Sequence, residues 1–156
     1  MQTIRRMMDH LYWANKELLK GLRELPNESG EIARLFRHIL IAELVWATRL
    51  EGGSSAHLRL WEESDIASLE QLARDNEQRY KRYIDGLAES DLDCTFEYAN
   101  QSGVKFRSSI RDILIHVALH GQYHRGQINA ALRRQASSPV ALDYILFSRL
   151  DEIPNS

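Results

Sequence analysis

The chain has 156 residues, 44% hydrophobic and 27% charged, with a formal net charge of −2 and a pI near 6.3. These values describe one soluble globular domain, residues 1–156, with a sizeable core, and argue against nucleic acid or an acidic membrane surface as the main partner. The lone Cys94 excludes an internal disulfide and fits the cytoplasm, and Arg5, Arg6, Asp9 and His10 in the first turns exclude a signal peptide.

Ile4, Met7, Met8, Leu11, Asn15, Leu18, Leu19, Leu22 and Leu25 recur at steps of three and four, which predicts an amphipathic helix ended by Pro26-Asn27. A second helix starts at Ser29-Gly30, with Ile32, Leu35, Ile39, Ala42, Trp46 and Leu50 along one stripe. It holds the most apolar run of the chain, Ile39 to Ala47, which is interrupted by Glu43 and too short to span a bilayer. Gly52-Gly53-Ser54-Ser55 stops it and opens a loop through Trp61. A third helix is predicted from about Asp65 to Leu87, its stripe including Leu69, Tyr80, Tyr83 and Ile84.

The period then changes. Thr95 to Tyr98 and Val104 to Phe106 alternate apolar with polar around Asn100-Gln101-Ser102-Gly103, which reads as a short hairpin, with an irregular crossover loop as the alternative. The fourth helix begins at Ser108 or Ser109, where Ser109 and Asp112 resemble a capping box, and extends to about Arg134. Ala136-Ser137-Ser138-Pro139 breaks it, and a short last helix runs from about Ala141 to Leu150, with a frayed tail after Glu152. Four long amphipathic helices define an all-α bundle.

Chemistry concentrates in the fourth helix. His116, His120 and His124 stand at successive i, i+4 positions, the spacing that lets two imidazoles on one helix face meet one metal ion. His116 and His124 are about 12 Å apart along the axis and do not share an ion. Ile113, Val117, Ile128 and Ala131 share a stripe with His120 and His124, so these two are favoured as ligands, pointing inward, with His116 at the rim. Another helix must supply more. His38, in a strongly apolar stretch where a lone imidazole is costly, is the best donor; His10 is the reserve, and His57 reads as a surface residue. Cys94 lacks a His or Cys partner, and no phosphate-cradling glycine loop is present.

His116-x3-His120-x2-Tyr123-His124-Arg125-Gly126-Gln127-Ile128 closely resembles the signature helix of the DinB-like (YfiT-like) metal-binding proteins. Three further segments agree in order: Tyr12-Trp13-Ala14-Asn15-x2-Leu18-Leu19, His38-Ile39-x3-Glu43-x2-Trp46-x2-Arg49-Leu50 and Pro139-x3-Asp143-Tyr144-Ile145. The resemblance implies a four-helix bundle with a long crossover, a homodimer, and a divalent metal on His38, His120 and His124. It also places this chain beside enzymes that use low-molecular-weight thiols, such as bacillithiol or mycothiol S-transferases and maleylpyruvate isomerase. One departure is Leu119, where many relatives carry Asn.

The resulting expectation is a metal-dependent S-transferase, or a related hydrolase, using a small-molecule thiol and an electrophile. Zinc or nickel suits the nitrogen ligands. Tyr123 and Arg125 are expected at the mouth of the site, Arg125 alternatively as an exposed cation; Gly121 and Gly126 are expected to permit close helix packing, and Asp143 to cap the last helix or orient a histidine. Two other classes stand beside it. One is a non-catalytic metal-binding stress-response bundle; the other is a helical interaction module whose histidines are satisfied in the core.

Overall fold

The computed structural model describes residues 1–24, 30–61, 65–100 and 102–152. Helices α1 (Gln2–Arg23), α2 (Gly30–Leu50), α3 (Ile66–Asp85) and α4 (Ile110–Arg134) form the bundle. α1 packs on α3 and α4, and α2 packs on the same two. Hence α1 is diagonal to α2, and α3 to α4, so the α3–α4 connection crosses the bundle. Leu25, Pro26, Asn27 and Ser29, the expected junction of α1 and α2, lie outside the described residues, as does the tail from 153 onward.

Local chemistry sets the ends. Asp65 caps α3, its side chain accepting from Ser68 N at 2.7 Å. Gly52, at φ +78°, supplies the left-handed backbone that turns the chain away after α2. Ser109 caps α4 by accepting from Asp112 N at 3.0 Å. Its hydroxyl also donates to Asp112 Oδ2 at 2.6 Å. The Asp112 carboxylate is therefore turned to the serine side chain, whereas a reciprocal capping box would turn it to the serine backbone.

The predicted hairpin is present, as β1 (Thr95–Ala99) paired antiparallel with β2 (Lys105–Ser109), Tyr98 facing Phe106. Phe96 and Tyr98 pack on the core cluster at this end of the bundle. A 3-10 turn, Glu89–Asp93, precedes the hairpin and plugs the core with the fully buried Leu92. The last helix, α5 (Tyr144–Ser148), is shorter than predicted and runs into a second 3-10 turn, Arg149–Glu152. Asn129 on α4 explains this: it donates to Val140 O at 2.8 Å and accepts from Val140 N at 2.9 Å. Both backbone groups of Val140 are thereby engaged, and no helix starts there.

Two apolar clusters make up the core. One gathers Met8, Leu11, Tyr80, Leu92, Ile113 and Val117; the other gathers Leu18, Ile32, Phe36, Ile39, Leu69 and Ile128. Between them in every helix sits one buried polar residue: Asn15 on α1, Glu43 on α2, Asn76 on α3 and Arg125 on α4. Arg125 Nη1 donates to Asn15 Oδ1 at 3.0 Å, and Asn15 Nδ2 donates to Glu43 Oε1 at 2.9 Å. Asn76 Nδ2 donates to Glu43 Oε2 at 3.1 Å and to Leu40 O at 2.8 Å. Tyr80 donates its hydroxyl to Glu43 O at 2.7 Å. Burial raises the Glu43 carboxyl above its ordinary value, against the pull of Asn15, Arg125 and Asn76. Burial also lowers the Arg125 guanidinium to about 10, with Glu43 opposing, so the arginine stays charged at pH 7.

Gly121, one turn before Arg125, makes this layer possible. A Cβ there would stand 2.9 Å from Arg125 Nη1 and 3.3 Å from its Cζ. The expectation that Gly121 and Gly126 serve helix–helix packing is therefore corrected: Gly121 leaves room for the guanidinium, and a Cβ on Gly126 would meet nothing within 4 Å.

Asn15 is the hinge of the layer, because its side chain bonds both the buried cation and the buried acid. Asn15→Ala should leave the buried Arg125 guanidinium and the Glu43 carboxyl each short of a partner and lower stability by about 3 kcal/mol, read as a reduced denaturant midpoint. A loss under about 0.5 kcal/mol, the range of an ordinary surface substitution, would contradict this assignment.

Candidate metal centre

The polar layer holds α2 and α4 at the level where three histidines meet. His38, on α2, is buried at 8% exposure. Its ring centroid lies 5.2 Å from that of His120 and 4.6 Å from that of His124. The His120 and His124 rings are 4.5 Å apart. One ring nitrogen from each histidine falls within 4.8 Å of the other two. Two metal–nitrogen bonds of about 2.1 Å reach about 4.2 Å at most, so modest ring rotation suffices to bring all three onto one ion.

Donor chemistry fits a metal as well as the spacing does. His38 Nδ1 is buried without a hydrogen-bond partner, which is costly for a polar atom. Burial is the main force lowering His38 to about 4, with His124 adding to it and the nearby Leu60 backbone opposing without completing a bond to Nδ1. His120 is lowered to about 4 by burial first, then by His124, His38, His116 and Arg125. Both rings are thus neutral at pH 7, the form that ligates metals. His124 Nδ1 lies 2.7 Å from Gln127 Oε1. Donation from Nδ1 to that oxygen leaves Nε2 with a free lone pair.

Trp61 stacks on His38, with ring centroids 4.0 Å apart and planes 6° from parallel. The loop carrying Trp61 is tied back to α2 by Arg37 Nη1, which donates to Arg59 O at 3.0 Å. Neither Trp61 nor Gln127 stood out in the sequence. Gln127 was legible as the residue three after His124, on the same helix face; the Trp61 contact depends on the loop path.

The remaining candidates are distributed around the trio. His120 and His124 are half-buried and lie on the flank of α4, not in its inward stripe as expected; the inward positions at that level belong to Gly121 and Arg125. Arg125 is neither at the mouth nor an exposed cation, because at 1% exposure it is locked into the polar layer. His116 stands at the rim, exposed, with its ring 5.5 Å from His120 and edge-on to Trp46 at 5.3 Å. Tyr123 is exposed and its ring is edge-on to His124 at 5.1 Å.

His10 lies away from the trio, with Nε2 at 2.9 Å from Leu142 O among the rings of Trp13, Tyr144 and Phe147. His57 is exposed. Asp143 occupies the cap position of α5 without a side-chain capping bond, and its charge favours the protonated form of His10.

A bundle with two ring donors on one helix and a third on the facing helix defines a class of histidine-bearing helical proteins able to hold a metal ion. Comparison with known proteins gives the particular family. The DinB family model matches residues 1–155, and the chain belongs to the DinB family. Protein DinB of Bacillus subtilis (strain 168) is 25% identical over 157 residues, covering 91% of each chain. No helix among the described residues is long and apolar enough to cross a membrane.

The lowered histidines predict an acid response. In metal-free protein the folded-state values of His38 and His120, about 4, lie below the unfolded value of 6.5. The unfolded chain therefore binds more protons, and stability should fall as pH drops from about 6.5 towards 4. Denaturant unfolding at pH 7 and pH 5 should show this loss, and a His38→Gln/His120→Gln double variant should show less of it. An identical loss in the variant would refute the assignment.

Proposed function

We propose that this chain holds one divalent ion, zinc or nickel, on His38, His120 and His124, and uses it as an S-transferase for a low-molecular-weight thiol. The observation that carries the reading is the convergence of three ring nitrogens from two helices within 4.8 Å. When bound, such an ion supplies Lewis acidity and lowers the pKa of a thiol, favouring thiolate at neutral pH.

The chain's own groups do the rest. His38 and His120 offer neutral rings at pH 7. Gln127 orients His124, and Trp61 covers one face of His38. In the transfer, the thiol sulfur bonds to an electrophilic carbon and the leaving group departs with its electron pair. The thiol proton needs a base, and in this reading the His116 ring takes it from the exposed rim, its centroid 5.5 Å from that of His120. Tyr123, exposed beside His124, lines the approach. A homodimer and a cytoplasmic setting, where small thiols stay reduced, belong to the same proposal and rest on the family resemblance and the chemistry of thiols. A related hydrolase would use the same donors with water in place of the thiol.

A non-catalytic metal-binding bundle is the second reading, favoured by the composition of the cluster. Among the described residues it consists of histidines alone, with no carboxylate among the grouped donors.

The two readings separate on turnover. Metal-loaded protein should release chloride from a chloronitroaromatic acceptor with one of bacillithiol, mycothiol, glutathione or coenzyme A, and His124→Ala should abolish that release. Metal binding without turnover on any of the four would remove the transferase reading and leave the second one standing.

A further inference from the structure

At the other side of His116 the structure holds a cation with no acid to pair with. Arg49, in the last turn of α2, is half-buried, and its guanidinium carbon lies 4.8 Å from the Trp46 ring centroid and 5.2 Å from that of Tyr98. Nε donates to Ser55 Oγ at 3.0 Å. Among the described residues, its two Nη atoms make no hydrogen bond and no carboxylate lies within ion-pair reach. The neighbouring acids are engaged elsewhere: Glu51 binds Arg79, and Glu97 binds Lys105 at 2.9 Å across the hairpin.

Burying an arginine without an acid is unfavourable, and the guanidinium is pulled below its ordinary value by that burial. The cost makes sense if the partner arrives from outside. Arg49 lines a cleft of about 490 Å³ between the C-terminal end of α2, the following loop and β1, with Ser54, Ser55, Phe96, Tyr98 and Asn100 among its walls; Glu97 also lines it, its carboxylate held by Lys105. Trp46, against which Arg49 rests, also meets the His116 ring edge-on at 5.3 Å. The cleft therefore adjoins the rim of the histidine cluster.

We propose that this cleft is a recognition site for a small molecule bearing a carboxylate, held by Arg49 Nη1 and Nη2 with an apolar or aromatic body against the Tyr98 and Phe96 side of the cleft. A carboxylate is favoured over a phosphate because the cleft presents a single unpaired cation whose planar fork matches two carboxylate oxygens. The aromatic walls accept a flat apolar body. The site requires no metal; joined to the proposed transfer reaction, it selects an electrophile with an acid group.

Benzoate and its neutral counterpart benzamide test this on the full-length chain, stripped of metal so that no carboxylate can bind an ion instead. The reporter is the Trp46 indole N–H resonance in ¹⁵N spectra, assigned with Trp46→Phe. Benzoate should shift it saturably, benzamide should bind at least 10-fold more weakly, and Arg49→Gln should weaken benzoate at least 10-fold with an unchanged fold. Inorganic phosphate should compete less well than benzoate. Equal binding of benzamide, tighter binding of phosphate, retained benzoate affinity in a folded Arg49→Gln, or no saturable shift would each overturn the proposal. If Arg49→Gln does not fold, the benzoate–benzamide comparison on wild type decides.

Discussion

The structure depends on one buried polar layer. Apolar packing alone fixes the relative height of the four helices only weakly, since most side chains of both core clusters are aliphatic. The chain Arg125–Asn15–Glu43–Asn76 limits that freedom, because each hydrogen bond joins a different pair of helices and a slipped register would leave buried polar groups without partners. Gly121 is part of the same device, since a Cβ there would crowd the guanidinium as it now stands.

The histidine cluster is a consequence of that register. His120 and His124 come from one helix and lie a turn apart wherever α4 sits, whereas His38 reaches them only if α2 is held at one height. Glu43, five residues beyond His38, fixes α2 in the layer; Arg125, adjacent to His124, fixes α4. A turn of slippage, about 5.4 Å, would carry His38 out of range of the pair. The same geometry places the cluster on the flank of the bundle, where His116, Tyr123 and Trp61 face solvent and ligands can arrive.

Much of this was legible in the sequence. The helices follow from apolar periodicity, and the hairpin from its alternation around Asn100 and Gly103. The histidine trio follows from spacing together with the cost of a lone imidazole in an apolar helix. The polar layer was visible as two anomalies, Asn15 inside an apolar stripe and Glu43 interrupting the most apolar run, but nothing in one sequence says that they meet. Arg125 misled for the same reason: an arginine reads as exposed unless its acid partner on another helix is known. The contacts of Trp61 and Arg49 depend on the paths of the loop and the hairpin, which periodicity does not specify.

Among the described residues His38 is the one grouped donor from outside α4, so it tests the convergence of the two helices most directly. Titration of untagged, metal-free protein with zinc, followed by calorimetry, should give about one ion per chain. His38→Ala, shown to be folded by its unchanged denaturant transition, should bind at least 10-fold more weakly. Equal zinc affinity in wild type and His38→Ala, or no binding in either, would contradict the account.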